Sequence, residues 1–439
     1  MFELPTLLFH YFYQKHLTFS NRAQLEKWQE KKVKKHLRWV QKNSSFYQEL
    51  WKEKTLDHWR EFPTIDKSSM MEHFDTLNTV SITKKDAFSV ALEGETSRNF
   101  SPTIHSVTVG LSSGTSGNRG IFLVSPEERV KWAATVLQKT LPSSLFTFQR
   151  IAFFLRANSN LYSSVQKGPI HFSFYDLLEE VDRHILSLNQ YQPTILIGPP
   201  SLLRLLAKKQ ETGSLTISPI KIISVAEVLD PIDETYLSSI FKQKIHQVYQ
   251  CTEGFLATTC SHGTLHLNED LVVIQKEYID KKLGKFVPII TDFTRTTQPI
   301  IRYRLNDILT EKEEPCLCGS PFTALSSIDG RQDDLFYFKQ VDGTSVPVFP
   351  DFIRRCILFS SHEITEFRII QHNFFHLEIM FETISSKREE IELLIRKQFD
   401  TFFKEKKIRT PFYSFSLYTS PAKGVKLRRI ERRFFVDVH

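Results

Sequence analysis

The sequence is poor in the features that mark several protein classes. It has five cysteines in 439 residues, an odd number with no regular framework, which excludes a disulfide-stapled scaffold and predicts a reducing compartment. It has no long apolar run at its start. Met1-Phe2-Glu3-Leu4-Pro5-Thr6-Leu7-Leu8-Phe9-His10 is apolar but too short and interrupted to span a bilayer, and it lacks the basic start and small-residue cleavage site of a signal peptide. A cytoplasmic protein without a membrane partner is therefore expected. Concentrated positive charge is scarce as well. The formal net charge is +7, yet Lys and Arg are scattered, with denser runs only at 31–38 and 423–433, so nucleic acid is not an expected partner and an anionic cofactor accounts for the charge equally well. Four methionines and fifteen glycines accompany thirty-seven phenylalanines, which predicts rigid aromatic packing or an aromatic-lined pocket.

Four of the fifteen glycines gather in one stretch. Residues 110–120 hold four glycines (Gly110, Gly114, Gly117, Gly120) and four hydroxyl side chains (Ser112, Ser113, Thr115, Ser116) between apolar runs at 104–109 and 121–124. This reads as strand, phosphate-sized loop and strand, because glycine lets backbone N–H groups turn towards an anion and the hydroxyls donate further hydrogen bonds. The Walker pattern, G-x-x-x-x-G-K-[ST] opening a helix, is absent.

Around this loop the pattern alternates. Leu25, Trp28, Val33, Leu37 and Val40 recur at helical spacing in a segment over 21–50, broken at Ser44-Ser45-Phe46-Tyr47. Helices are expected at 127–140, 177–188 and 202–209, and short buried strands at 151–156, 194–197 and 220–225. Such alternation, in a chain long enough for two or three units, predicts an α/β fold with largely parallel sheets flanked by helices. Ligands in these folds gather at the carboxyl ends of strands, where Ser224-Val225-Ala226-Glu227 and Val248-Tyr249-Gln250-Cys251-Thr252-Glu253-Gly254 are placed. Glu253, a hard oxygen ligand beside a glycine, suits Mg²⁺. From 335 the pattern changes to a helix at 349–358, strands at 366–371 and 376–382, an amphipathic helix at 386–404 and a strand at 413–418. The expected division is a large N-terminal domain over 1–330 and a small α+β C-terminal domain over 331–439.

Ser112-Ser113-Gly114-Thr115-Ser116-Gly117-Asn118-Arg119-Gly120, with these later motifs in this order, resembles the adenylate-forming (acyl-CoA synthetase) superfamily, and within it the branch of phenylacetate-CoA ligases and deazaflavin-adenylating synthetases. Phe62-Pro63-Thr64-Ile65-Asp66-Lys67 is similar to that branch too. The resemblance implies that Ser112, Ser113, Gly114, Thr115, Ser116 and Gly117 cradle the ATP phosphates, with Ala226 and Glu227 as further nucleotide-binding candidates. In the Tyr-x-x-Thr-Glu segment it implies that Tyr249 borders the adenine or acid pocket, Thr252 contacts a phosphate and Glu253 helps hold Mg²⁺. Gln298-Pro299-Ile300-Ile301-Arg302-Tyr303-Arg304-Leu305-Asn306-Asp307 matches a segment whose final Asp, Asp307, accepts from the ribose hydroxyls; Leu305-Asn306 departs from the usual Thr-Gly there. Ile328-Asp329-Gly330-Arg331-Gln332-Asp333-Asp334 is similar to the hinge motif, with Arg331 binding nucleotide and Asp333 as pivot of a mobile C-terminal domain. The catalytic lysine falls in Pro421-Ala422-Lys423-Gly424-Val425-Lys426-Leu427-Arg428-Arg429: spacing to Arg429 selects Lys426, and Lys423 is its rival.

Cys316-Leu317-Cys318-Gly319 is a tight turn whose thiolates suit one tetrahedral metal. Members of the branch carry Cys, His, Cys and Cys in this order, so Cys260, His266, Cys316 and Cys318 are implied as a closed structural Zn²⁺ site, with His262 the weaker fourth ligand and Cys251 and Cys356 left over as inert thiols. The implied activity is attack of a carboxylic acid on MgATP to give acyl-AMP and pyrophosphate, then transfer to CoA or to a carrier protein's pantetheine thiol. Phe153-Phe154-Leu155-Arg156-Ala157-Asn158, Phe172-Ser173-Phe174-Tyr175 and Tyr249 point to an aromatic or arylacrylic acid and to secondary metabolism. AMP transfer to a phenolic hydroxyl and a catalytically silent ATP-binding protein stay open as alternatives, as do monomer and homodimer.

Overall fold

The computed structural model describes residues 3–99, 101–112, 119–155, 169–384, 386–420 and 426–436. Two units emerge from its internal packing. The first comprises Met1–Leu229, Asp233–Leu305 and Glu311–Ser327; the second comprises Asp230–Ile232, Asn306–Thr310 and Ile328–His439.

The first unit opens with helices Glu3–His16 and Arg22–Asn43. The second of these starts where the Asn21 side chain accepts from the Gln24 N–H and buries Leu25, Gln29, Val33, His36, Leu37 and Val40, one helical stripe. Trp28, expected on that stripe, lies beside it and packs edge-on against Phe19 and Phe293. Five strands then run parallel in the order Ile170–Asp176, Gln149–Leu155, Ile195–Gly198, Lys221–Ser224 and Ile245–Cys251. Successive residues face opposite sides, so each strand feeds two cores. Ala152, Leu196 and Ile222 meet Leu188, Leu203 and Leu237 of the helices on one face; Ile151, Ile195 and Ile223 meet Leu7, Val130 and Leu137 on the other. The helix expected from 177 begins only at Val181, because the Asp176 carboxylate accepts from the Leu178 N–H and holds a turn first.

Beyond Ile245–Cys251 the sheet turns antiparallel through Gly254–Thr259 and Leu265–Leu267, giving the expected mixed α/β architecture. Val272–Asp280, Lys285–Asp292 and Ile300–Arg304 pair antiparallel nearby in sequence. The glycine-rich stretch is flanked by an antiparallel hairpin, Val107–Leu111 with Ile121–Val124. Gly110 is required there: a Cβ on it would stand 2.1 Å from Phe122 Cζ, whose ring lies across the glycine.

In the second unit, strands Phe412–Leu417, His376–Thr383, Ile364–Asn373 and Ile430–Arg432 form a four-stranded sheet in that order. Helices Pro350–Leu358 and Arg388–Glu405 supply its core with Ile353, Ile357, Ile395, Phe399 and Phe403, together with Phe336, Phe338, Phe367 and Phe381. Much of the phenylalanine surplus is thus packing, each fully buried ring contributing roughly 1.5–3 kcal/mol of transfer free energy. Buried Asp230 stands 2.7 Å from Arg354 Nε and 3.9 Å from Arg429 Nε, an ion pair by distance without hydrogen-bond alignment, while Arg429 also meets Glu366 at 3.0 Å. No helix among the described residues is long and apolar enough to cross a membrane.

Candidate functional site

The hairpin holds the expected phosphate loop at its neck. Ser112 N donates to Gly120 O at 2.8 Å, and Gly120 N donates to Ser112 Oγ at 2.7 Å, so the two ends of the loop are tied together. Lys67 Nζ donates to Ser112 Oγ at 3.2 Å, bringing a cation to that neck. Ser113, Gly114, Thr115, Ser116 and Gly117 lie outside the described residues.

A network of buried and half-buried side chains joins this hairpin to the Thr252-Glu253 turn. Gln298 Oε1 accepts from Leu123 N at 2.9 Å and its Nε2 donates to Ile121 O at 3.2 Å, so it pairs with the second hairpin strand as another strand would. Arg295 donates to Leu123 O at 3.2 Å and to Thr252 O at 2.6 Å, spanning both motifs. Glu128 accepts from Thr297 N at 2.8 Å and closes a capping box with Ser125. Burial raises the Glu128 carboxyl, but the Arg295 charge and the hydrogen bonds from Thr297 and Ser125 outweigh it and hold it below the ordinary range. Glu253 is buried and accepts from the Tyr303 hydroxyl at 2.9 Å. Burial and the Glu253 charge push Tyr303 far upward, so its hydroxyl stays a donor and fixes the carboxylate's direction.

The other candidates fall in varied places. Tyr249 is not past the strand end as expected but within strand Ile245–Cys251, buried opposite Ala257. Ala226 takes a left-handed backbone with φ of 67°, and Glu227 Oε2 accepts from Ser201 N at 3.2 Å at the start of helix Pro200–Glu211. In the expected aromatic pocket, Phe154 stacks on Tyr175 at 4.7 Å in the core beneath the helices, and Phe153 pairs with Phe172 at 5.3 Å. Phe154 and Tyr175 are therefore core; Arg156, Ala157 and Asn158 lie outside the described residues.

In the second unit Arg331 Nε stands 3.9 Å from Asp307 Oδ1. Asn306 Nδ2 donates to Asp333 Oδ2 at 2.7 Å and Gln332 N to Asn306 O at 2.8 Å, so the residue that departs from the usual glycine holds the expected pivot. Lys426 is half-buried; Lys423 lies outside the described residues.

Cys260, His266, Cys316 and Cys318 converge, their ligand atoms all within 4.8 Å of one another. The Cys260 and Cys316 sulfurs are 3.8 Å apart, close to the edge of a tetrahedron with metal–sulfur bonds of about 2.3 Å. His266 Nδ1 lies 3.2 Å from Phe322 O, leaving Nε2 on the thiol side, 3.4 Å from Cys318 Sγ, the orientation a ligating histidine needs. Burial raises the Cys316 thiol, but hydrogen bonds with Thr264, Cys318 and His266 bring it down to about 5, while burial first pushes Cys318 up to about 11. His262 is exposed and outside the cluster. Burial pushes the leftover Cys356 thiol up to about 12.

Sequence reasoning missed Arg295 and Glu128, and gave Gln298, Lys67 and Tyr303 no role. A charged and an amide residue just before the apolar run 299–301 was the available signal.

No protein-family model matches the chain. Protein CapK of Staphylococcus aureus is 20% identical over 405 residues, which is 86% of this chain and 82% of CapK. 2-Hydroxyisobutyryl-CoA ligase, solved in the postadenylation state in complex with R3-HIB-AMP, superposes with a TM-score of 0.72 at 14% identity over 94% of this chain and 90% of that one. GH3.15 acyl acid amido synthetase superposes with a TM-score of 0.57 at 12% identity, covering 91% and 90%. The chain has the fold of this CoA ligase and this amido synthetase.

Proposed function

We propose that this protein activates a carboxylic acid with MgATP and passes the acyl group to a thiol. The reading rests above all on the Arg295 and Gln298 network, which ties the hairpin around the glycine-rich loop to the Thr252-Glu253 turn on a fold that in 2-hydroxyisobutyryl-CoA ligase holds an acyl-AMP. A substrate carboxylate oxygen forms a bond to the α-phosphorus and pyrophosphate leaves; a thiolate then bonds the acyl carbon and AMP leaves. The protein's share in the first step is electrostatic. The backbone and hydroxyls of Ser112 to Gly117, with Lys67 at the neck, meet the phosphates. Glu253, its direction set by Tyr303, would hold Mg²⁺ shared with them, and the neighbouring Thr252 contacts a phosphate. Asp307 accepts from the ribose, Arg331 pairs with phosphate, and Lys426 offsets charge on the transferring group. Tyr249, Ala226 and Glu227 are assigned to the wall of the nucleotide and acid site.

Cys260, His266, Cys316 and Cys318 fit Zn²⁺ by donor type and spacing; when bound it staples the 316–319 turn to strand Leu265–Leu267 and supplies no open coordination position. Free thiolates at such a site suit the reducing cytoplasm. The acceptor thiol belongs to CoA or a carrier protein, and with Phe154 and Tyr175 packed in the core an aromatic acid keeps Phe153, Phe172, Phe174 and Tyr249 as its described candidates.

ATP–pyrophosphate exchange with aryl, arylacrylic and fatty acids tests the reading, since it reports adenylation whatever the acceptor. Exchange with one acid class, reduced about 10²–10³-fold by Lys426→Ala, is expected. No exchange with any acid overturns it, and a stable adenylated phenol would replace it with AMP transfer.

A further inference from the structure

We propose that the N-terminal helix of the first unit is a docking surface for an anionic lipid membrane. Helix Glu3–His16 buries Leu7, Tyr11 and Gln14 at i, i+4 and i+7, with Leu7 and Tyr11 packed in the core that holds Val130, Ala133 and Leu137 of helix Pro126–Thr140. It carries a second apolar stripe that this packing does not use. Phe9 is 66% exposed, Tyr13 42% and Phe12 36%. Phe9 stacks with Tyr13 at 6.3 Å, and Phe12 lies 6.4 Å from Phe146. Phe146 is itself 65% exposed and Phe148 51%, so two elements far apart in sequence contribute to one aromatic surface. A surface helix normally shows one apolar stripe, and a contiguous exposed apolar patch marks an interaction site.

Charge selects the occupant. Helix Arg22–Asn43 carries eight basic and two acidic side chains, a surplus of six positive charges in a chain whose formal net charge is +7. Lys32 of that helix reaches the patch: its Nζ is 5.8 Å from the Tyr13 ring centre and 3.4 Å from the Tyr13 hydroxyl. Arg150 lies 5.5 Å over the Phe148 ring, and Lys15 and His16 end the first helix exposed. Exposed rings rimmed by cations are what an anionic lipid interface accepts, the rings entering at headgroup level while Lys and Arg meet lipid phosphates. A second copy of the chain fits less well, since a two-fold contact through this patch would set the basic helix against itself. The surface departs from the sequence expectation of no membrane partner, which was argued from the absence of a spanning run and of a signal peptide and not from surface docking.

The test is co-sedimentation of the full chain with vesicles of phosphatidylcholine alone and of phosphatidylcholine with phosphatidylglycerol. Salt-sensitive binding to the anionic vesicles is expected, reduced about tenfold, or 1.4 kcal/mol, in Phe9→Ser/Phe12→Ser/Phe146→Ser at unchanged thermal midpoint. Lys31→Glu/Lys35→Glu, exposed positions on the basic helix, should weaken binding without touching the rings. No binding to either vesicle, binding unaffected by both variants, or a concentration-dependent dimer that the aromatic variant abolishes would each overturn the proposal. The assay needs neither nucleotide nor acid, so its failure is separate from any failure of the proposed activity.

Discussion

Arg295 reaches two backbone carbonyls in two different motifs, Leu123 O and Thr252 O, so its loss frees the Thr252-Glu253 turn and the hairpin around the glycine-rich loop from each other. A charged hydrogen bond of this kind contributes about 1.5–3 kcal/mol, so Arg295→Ala is expected to slow ATP–pyrophosphate exchange about 10–100-fold. Guanidinium added to the variant should restore part of the rate; a variant that guanidinium does not rescue and that has merely lost stability would reduce Arg295 to packing. His36 is the second residue with a measurable signature. It is buried with Nε2 lacking a hydrogen-bond partner among the described residues, and burial, then the Lys131 charge, brings it down to about 4 from 6.5. The unfolded chain therefore takes up a proton below pH 6.5 that the folded chain refuses until about pH 4. Stability is complete above 6.5 and falls, by about 3 kcal/mol, as the pH drops from 6.5 to 4. Thermal midpoints across that range should flatten in His36→Leu, and an unchanged slope would remove His36 as the cause.

At the scale of elements, the Cys316-Leu317-Cys318-Gly319 turn has little holding it apart from the Cys and His side chains. Leu317 is 89% exposed and Gly319 takes a φ of 71°, so the turn contributes almost no apolar burial of its own. A metal bound by thiolates there should be structural. Purified protein is expected to carry one equivalent of zinc by elemental analysis. Cys318→Ser should lose it and lower the thermal midpoint by roughly 5–10 °C, at about 2–4 °C per kcal/mol. Full metal content in the variant would sink the assignment.

At the scale of the whole molecule, the second unit is not one continuous segment. It takes in Asp230–Ile232 and Asn306–Thr310, and these bring the Asp230 carboxylate that faces Arg354 and Arg429, and Ile308, which packs with Leu335 and Phe349. Removing one partner of a buried pair costs about 3–5 kcal/mol. A fragment starting at 328 is therefore expected to lack a cooperative thermal transition, and Asp230→Asn in the full chain to lower the stability of this unit. A fragment that melts as sharply as the full chain would show that the two short segments are dispensable.

Much of this molecule is legible without coordinates. The alternation of short apolar runs with helical stripes gives the α/β class because strand and helix periods differ, and the order of Gly/Ser loop, Thr-Glu, Arg-Tyr and Gly-Arg motifs marks where an anionic ligand would be held. Cys260, His266, Cys316 and Cys318 were implied as a ligand set by the resemblance, and the structure brings their donor atoms together. What sequence order does not encode is which distant side chains meet. Phe154 and Tyr175 read equally as pocket or core, and only strand pairing, which sets them stacked under helices, decides for core. Nothing in the sequence pairs Arg295, Gln298 and Glu128 with their partners; they act through backbone groups of segments 43 to 177 residues away. The sequence by itself determined the elements and the chemistry available to them, because periodicity and residue type are local. Only the tertiary structure decided what faces what, because burial, pairing and ion-pair geometry depend on contacts between residues far apart in the chain.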